Sequence, residues 1–273
     1  VNEDTANAIT GNSIADVDDT SMTSVAITAD RGTFSLAQTT GLTFAAGDGT
    51  SDATMTFGGT VANINLAIAT ITWTSATNDD ADATLTVVTT DDEGGSDTDS
   101  MTITVNSVND APTTSGGAAT VAEDATHTFT TTASDWGYAD VDSGDSMTSV
   151  DITTLPGTGT LRYGGADVSA GDDIAIANLG GLTYVPVANA NGAVTFTFKV
   201  YDGEALSASA GTFTLTYTAV DDAPVCEAGD AQSVAEGATV TLDGTGSSDV
   251  ESDTITYAWT VASGTAQTVS NAN

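Results

Sequence analysis

The chain has 273 residues, enough for two or three domains, and 40% of them are hydrophobic, which excludes a wholly disordered chain. Asp and Glu number 38 against 3 Lys and Arg, so the formal net charge is −35. So few basic residues cannot neutralise phosphates, which argues against nucleic acid and anionic lipid as partners and favours cations. A solvated acidic surface suited to salty water is the alternative explanation of the charge.

Short strand-like runs separated by glycine-rich turns fill the first part of the chain. The runs alternate apolar and polar residues, and they cover residues 24–28, 32–36, 42–44, 54–57, 69–73, 84–88 and 101–105. Strands of about five residues at spacings near a dozen predict an all-β fold of antiparallel sandwiches. Ile64 and Ile68 are four residues apart, as in a helical turn, but residues 61–69 are too few to decide between helix and strand.

A five-residue segment marks the ends of the modules. Val108–Pro112 (VNDAP) reappears as Val220–Pro224 (VDDAP), 112 residues later, which is the length of one sandwich domain. Proline cannot donate a ladder hydrogen bond and therefore suits a joint between sheets. The predicted domains are residues 1–110, 111–222 and 223–273.

Internal repetition supports this division. The opening Val1-Asn-Glu-Asp returns as Val121-Ala-Glu-Asp and as Val234-Ala-Glu-Gly, and Ser21–Val25 (SMTSV) returns as Ser146–Val150. The second module has four more residues than the first between its opening and its acidic cluster, and we place them around Asp135–Tyr138. The third module is about 50 residues long, so we expect an incomplete sandwich here, or one that another chain completes.

Acidic clusters recur in phase with the modules. Carboxylates at positions i and i+2 can converge on one Ca²⁺, which accepts 6 to 8 oxygens in loose geometry. These pairs are Asp16 and Asp18, Asp140 and Asp142, and Asp249 and Glu251. Neither an EF-hand nor an array of calcium-binding nonapeptides is present. Solvated Asp-rich turns are the alternative to a calcium site.

These motifs resemble two known families. The order Glu-Asp, Asp-x-Asp, Asp-Gly and Asn-Asp-Ala-Pro resembles the cadherin-like repeats of giant bacterial (RTX-type) surface adhesins, and residues 135–145 and 189–202 carry the closest match. Gly244–Asp249 (GTGSSD) and Tyr257-Ala-Trp259 resemble the first half of an immunoglobulin-like PKD domain. The resemblance implies calcium sites that neighbouring modules share at their joints. The implied ligands are Glu3, Asn109, Asp110, Asp140, Asp142 and Asp202 at the first joint, and Glu123, Asp221, Asp222, Asp249 and Glu251 at the second.

An enzyme is not indicated. The lone His127 lies in a strand-like run, and the lone Cys226, which excludes an internal disulfide, is expected to be buried. The aspartic-protease triplet Asp-Ser-Gly occurs only once, at Asp142, and it lies inside the acidic cluster. Aromatic residues make up 6% of the chain, too few to suggest a sugar-cleaving cleft.

The sequence therefore predicts a mechanical function. The chain is expected to be a stalk segment of a secreted or bacterial cell-surface adhesin, stiffened by Ca²⁺ at its joints and supporting adhesion or biofilm formation. Its partners would be calcium ions and neighbouring repeats or identical chains, with no apolar run long enough to enter a membrane. A self-assembling filament or surface-layer subunit is the alternative, and a carbohydrate-binding accessory module is a third.

Overall fold

The computed structural model describes residues 1–17, 20–190 and 192–260. Strands dominate the described chain, which confirms the predicted all-β class. The elements in chain order are β1 (Asn7–Thr10), β2 (Ser21–Ala29), β3 (Thr33–Leu36), β4 (Leu42–Ala46), β5 (Thr54–Thr60), α1 (Val61–Ile68), β6 (Thr70–Thr74), β7 (Ala83–Thr90), β8 (Ser96–Ile103), β9 (Thr113–Thr114), β10 (Gly117–Ala122), β11 (His127–Thr128), a 3₁₀ helix (Ala133–Trp136), β12 (Tyr138–Ala139), β13 (Ser149–Thr154), β14 (Thr160–Tyr163), β15 (Ala166–Asp167), β16 (Asp173–Ala175), a second 3₁₀ helix (Ile176–Gly181), β17 (Leu182–Val185), β18 (Gly192–Tyr201) and β19 (Gly211–Thr218).

Two compact units make up this chain. Unit 1 contains Val1–Thr114, Tyr138–Ser149 and Val200–Ser209. Unit 2 contains Ser115–Gly137, Val150–Lys199 and the residues from 210 onward. Unit 1 therefore includes the segment that follows β8, the last strand of the first module. It also includes two short segments of the second module. The predicted domain limits stay predictions.

Unit 1 is built around two sheets that share one core. The five-stranded antiparallel sheet has the order β4-β5-β2-β7-β8, and the three-stranded sheet has the order β1-β6-β3. All seven predicted runs overlap strands β2 to β8. Alternate residues of facing strands, such as Ile27, Phe57 and Trp73, are fully buried in one cluster. In β2 the register shifts between Met22 and Val25, and this bulge keeps both side chains buried.

The undecided segment 61–69 forms the helix α1. Thr60 begins it, since its side-chain hydroxyl accepts a hydrogen bond from the Asn63 amide. Ile64 and Ile68 pack into the core of unit 1. Asn65 then fixes the loop before β2, because its side chain donates to the Ile14 carbonyl at 2.9 Å and accepts from the Ile14 amide at 2.8 Å.

Unit 2 repeats the two-sheet plan with one strand added. Its sheets have the orders β10-β19-β18-β13-β16 and β11-β17-β14-β15. Most of its strand pairs are antiparallel, but β10 runs parallel to β19 along the edge of the first sheet. The core is an aromatic cluster in which Trp136 packs edge-on against Phe198 at 4.9 Å and tilted against Phe213 at 5.3 Å.

The third predicted module contains little regular structure in its described part. Residues 223–260 hold one isolated antiparallel bridge, between Val225 and Ser248. The predicted sandwich there stays a prediction, and residues 261–273 lie outside the described chain. Within the described residues, no helix is long and apolar enough to cross a membrane.

Trp136→Ala should destabilise unit 2 by about 3 to 5 kcal/mol, because it removes a fully buried indole from a close-packed cluster. Chemical denaturation followed by far-ultraviolet circular dichroism measures this change. Tyr163→Ala, at an exposed position, should cost less than about 0.5 kcal/mol. Equal losses for the two variants would contradict this description of the core.

Candidate metal centres

The opening glutamate of each full module is buried beside the end of that module. In unit 1 Glu3 is 2% exposed, and its Oε1 accepts a hydrogen bond from the Val108 amide at 2.9 Å. In unit 2 Glu123 is 3% exposed, and its Oε1 accepts one from the Val220 amide at 2.8 Å. Both glutamates thus lie next to the joint segments in which sequence analysis placed metal ligands.

Unit 1 brings the joint segment together with the Asp-x-Asp motif that follows it in sequence. The Asp110 amide donates to Oδ2 of Asp142 at 2.7 Å, and the Asn109 side chain donates to Oδ2 of Asp202 at 3.2 Å. Asp140, Asp142 and Asp145 each offer a carboxylate oxygen within 4.8 Å of the others. We call Glu3, Asn109, Asp110, Asp140, Asp142, Asp145 and Asp202 the first acidic group.

The pKa values of this group show the cost of crowding carboxylates. Burial, followed by the negative charges of Asp142, Asp4 and Asp140, raises the pKa of Asp110. Burial and the neighbouring carboxylates raise the pKa of Asp145 as well. Burial also acts to raise the pKa of Asp202, but hydrogen bonds from the Ala205 and Glu204 amides and from Asn109 outweigh it and lower that pKa.

A tyrosine and a short ladder hold the Asp-x-Asp segment in place. The Tyr138 hydroxyl donates to Oδ2 of Asp140 at 2.9 Å, and the Asp142 amide donates to Oδ1 of Asp140 at 3.1 Å. Burial, and then the bond to Asp140, raises the pKa of Tyr138 well above its usual range. Strand β12, which contains Tyr138, pairs with β9 directly after the joint. Sequence analysis assigned no role to Tyr138 and did not include Asp145 among the ligands.

Unit 2 contains a second acidic group at the second joint. Glu123, Asp222 and Glu251 each offer an oxygen within 4.8 Å of the others, and the Asp222 amide donates to Oε2 of Glu251 at 3.2 Å. Asp249 supports this arrangement by accepting hydrogen bonds from the amides of Glu251 and Asp253. We call Glu123, Asp222, Asp249 and Glu251 the second acidic group.

Three of the predicted ligands are not among the described residues of either acidic group. Asp221 is exposed, and it is not among the three residues of unit 2 whose oxygens converge. Asp16 lines a groove beside β8, where no described residue of the first acidic group lies. Asp18 falls outside the described residues. Their assignment as ligands rests on the sequence pattern alone.

Oxygen atoms without a hydrogen-bond partner make both groups suitable for a cation. Among the described residues, Oδ2 of Asp110 in unit 1 and Oε2 of Glu123 and Oδ2 of Asp222 in unit 2 are buried with no hydrogen-bond donor. A buried carboxylate oxygen without a partner costs free energy, and a bound cation would remove that cost. All the side chains in both groups offer oxygen, which matches Ca²⁺.

Among the described residues, neither His127 nor Cys226 belongs to such a group of acidic side chains. His127 packs edge-on against Phe129 at 4.7 Å, and burial lowers its pKa. Cys226 is exposed, so the expectation that its thiol is buried was wrong. The reason is that residues 223–260 form no closed sheet pair that could cover it.

Family comparisons agree with the resemblances seen in the sequence. Residues 108–218 match the model of the Cadherin-like domain, and residues 221–273 match that of the PKD domain. These matches support the resemblance to cadherin-like repeats and to a PKD domain over these two stretches. No curated protein sequence matches the chain.

Solved structures similar to this chain include Drosophila N-cadherin EC1-4, with 12% identity over 72% of this chain and 44% of that one, at a TM-score of 0.37. Human protocadherin-24 EC1-2 shows 14% identity over 71% and 84% of the two chains, at 0.35. The endo-fucoidan hydrolase MfFcnA4, in its H294Q form, shows 19% identity over 72% of this chain and 24% of its own length, at 0.27. Similarities at these TM-scores carry no argument about function.

Asp142→Asn should lower the affinity for Ca²⁺ at the first acidic group at least about tenfold, because it removes one charge from the centre of the group while keeping the side chain's shape. Isothermal titration calorimetry measures the loss. Asp173→Asn, at an exposed position on β16, is the matched control and should leave binding unchanged. Equal affinities of the two variants for Ca²⁺ would show that Asp142 is not a ligand in this group.

Proposed function

We propose that the chain is an extracellular, adhesion-type stalk segment whose joints are stiffened by bound Ca²⁺. The observation that carries this proposal is the pair of acidic groups, one at each joint, in which buried carboxylate oxygens have no hydrogen-bond donor. Modules of the cadherin-like and PKD families fit such a stalk and are typically non-catalytic. A bacterial cell-surface adhesin is the setting that the sequence resemblance favours.

The charge balance supports a cation as the partner of these groups. The described salt bridges are Arg31 with Asp79 and Arg162 with Asp167, and neither involves a member of an acidic group. With 3 basic residues against 38 acidic ones, the chain cannot neutralise its carboxylates internally. Divalent cations bound where carboxylates cluster would reduce this repulsion.

The stiffening follows from which residues meet in each group. Asp110 comes from the joint, Glu3 from the start of the module before it, and Asp140 and Asp142 from the module after it. Without a cation these carboxylates repel each other, and the joint backbone keeps the freedom of a linker. When Ca²⁺ is bound, it supplies positive charge that all of them share, so the same residues hold the joint in one conformation. The second group acts in the same way through Glu123, Asp222 and Glu251.

Calcium in the millimolar range should raise the melting temperature and should give a longer, more sharply defined maximum dimension in small-angle X-ray scattering. Extracellular sites of this type fill near 10⁻⁴ to 10⁻³ M, and ligand at about 100 times its Kd stabilises by about 2.7 kcal/mol. Magnesium at equal ionic strength is the control, since it accommodates crowded carboxylates poorly.

A chain whose maximum dimension and melting temperature are the same in calcium and in chelator would contradict the stalk proposal. Growth of the scattering mass with protein concentration would instead favour the filament alternative.

A further inference from the structure

In each full module the buried glutamate is followed by an aspartate with a left-handed backbone. The φ angle is 55° at Asp4, which follows Glu3. It is 61° at Asp124, which follows Glu123. Positive φ is uncommon outside glycine, and asparagine and aspartate tolerate it best. The chain therefore turns sharply directly after the glutamate, and it does so in the same way in both modules.

The partner of each of these aspartates is a distant asparagine, which is also left-handed. The Asn78 amide donates to Oδ1 of Asp4 at 2.9 Å, across 74 residues of sequence. The Asn189 amide donates to Oδ1 of Asp124 at 2.8 Å, across 65 residues. The φ angles of the two asparagines are 56° and 57°. We call Asp4 with Asn78, and Asp124 with Asn189, the Asp–Asn pairs.

Each glutamate is thereby held on both sides along the chain. On one side its own amide donates to a carbonyl at or just after the end of the module's last strand. Glu3 donates to Asn106 at 3.2 Å, and Glu123 donates to Thr218 at 2.9 Å. On the other side the Asp–Asn pair ties the next residue to a different loop. The glutamate backbone keeps little freedom between these two bonds, so its side chain extends towards the joint from a fixed point.

Unit 1 anchors the loop of its Asp–Asn pair with one of the three basic residues of the chain. Asp79, next to Asn78, accepts hydrogen bonds from Arg31 at 2.9 and 3.0 Å through its two carboxylate oxygens. The Asp4 amide also donates to the Ser75 hydroxyl in the same loop, at 2.9 Å. The loop therefore offers the Asn78 amide from a well-supported position.

Asp4 has two ways to act on the first acidic group, through its charge or through its bond to Asn78. After burial and the charge of Asp142, the charge of Asp4 also raises the pKa of Asp110. Asp4 and Asp124 are both exposed, however, so water and salt screen their charges. The bond to the asparagine amide is the same in both modules, and it restrains the neighbour of a buried glutamate. Position rather than charge is therefore the feature that the two modules share.

We propose that Asp4 and Asp124 are positioning residues, which fix the turn from which Glu3 and Glu123 reach the cation at their joints. The unpartnered Oε2 of the buried Glu123 is the oxygen that such a turn would hold ready in unit 2. A ligand held in place before binding loses less freedom when the cation binds, and affinity rises accordingly. This inference rests on the proposed calcium function, although the turn itself exists without calcium.

Two substitutions of Asp4 separate position from charge. Asp4→Gly permits the left-handed backbone and removes the acceptor, and the third module already has a glycine at this place, Gly237, with a φ of 81°. Asp4→Asn keeps an acceptor oxygen and removes the charge. In isothermal titration calorimetry Asp4→Gly should weaken one of the two Ca²⁺ sites at least about tenfold, with the number of sites unchanged. Asp4→Asn should stay within about threefold of the unmodified chain, because the bond to the Asn78 amide persists.

The same pair of substitutions at Asp124 should act on the other site. Asp172→Gly is the matched control, because it also removes a carboxylate that accepts a backbone amide, that of Ser169 at 2.7 Å, but lies outside both acidic groups. Its affinities for Ca²⁺ should equal those of the unmodified chain.

A calcium-free measurement tests the positioning by itself. In chelator the Val108 amide donates to Glu3, so its hydrogen exchange, followed by nuclear magnetic resonance, reports whether the glutamate stays in place. Asp4→Gly should speed this exchange at least about threefold and Asp4→Asn should not. The Ile27 amide, in the middle of the main sheet of unit 1, should exchange at the same rate in all the variants, which excludes global opening.

Unchanged exchange of Val108 in Asp4→Gly would overturn the inference, and so would equal losses of Ca²⁺ affinity in Asp4→Gly and Asp4→Asn, since charge would then be the cause. If the unmodified chain bound no Ca²⁺, the proposed function would fail. The exchange rates would still decide whether Asp4 positions Glu3.

Discussion

Both joints depend on hydrogen bonds from backbone amides to carboxylates. Among the described residues, no basic side chain takes part. In unit 1 the amides of Val108 and Asp110 donate to Glu3 and Asp142. In unit 2 the Asp222 amide donates to Glu251. A backbone amide fixes the position of a carboxylate and leaves its negative charge in place. The amides therefore hold these carboxylates close together while their negative charge stays uncompensated, which is the arrangement that the proposed Ca²⁺ would neutralise.

The two full modules share this joint chemistry but fill their cores differently. The second module covers its last strand with β10 and fills the space beneath with Trp136, so its core is closed. In the first module a groove lined by Met22, Leu85 and Met101 lies beside β8.

Local patterns predicted the strands and most of the residues in the acidic groups. Alternation identified β2 to β8, and the resemblance to cadherin-like repeats implied that Asp110, Asp140 and Asp142 lie together. Tyr138 and the parallel strand β10 were not predicted, because their roles come from contacts far apart in sequence. Cys226 was predicted wrongly, since burial depends on a covering sheet that the sequence pattern does not report. Asp16 is in phase with the other acidic residues, yet it lies beside a groove of unit 1, so phase alone does not place a residue in an acidic group.

The proposal of calcium-stiffened joints requires the buried, unpartnered oxygens of the two acidic groups to be cation ligands. Crystals of the chain grown with calcium, or with a lanthanide in its place, test it directly through anomalous diffraction. We expect a peak about 2.3 to 2.6 Å from Oδ2 of Asp110 in unit 1, and another at the same distance from Oδ2 of Asp222 in unit 2. Ordered density for these side chains with no anomalous peak near either oxygen would contradict it.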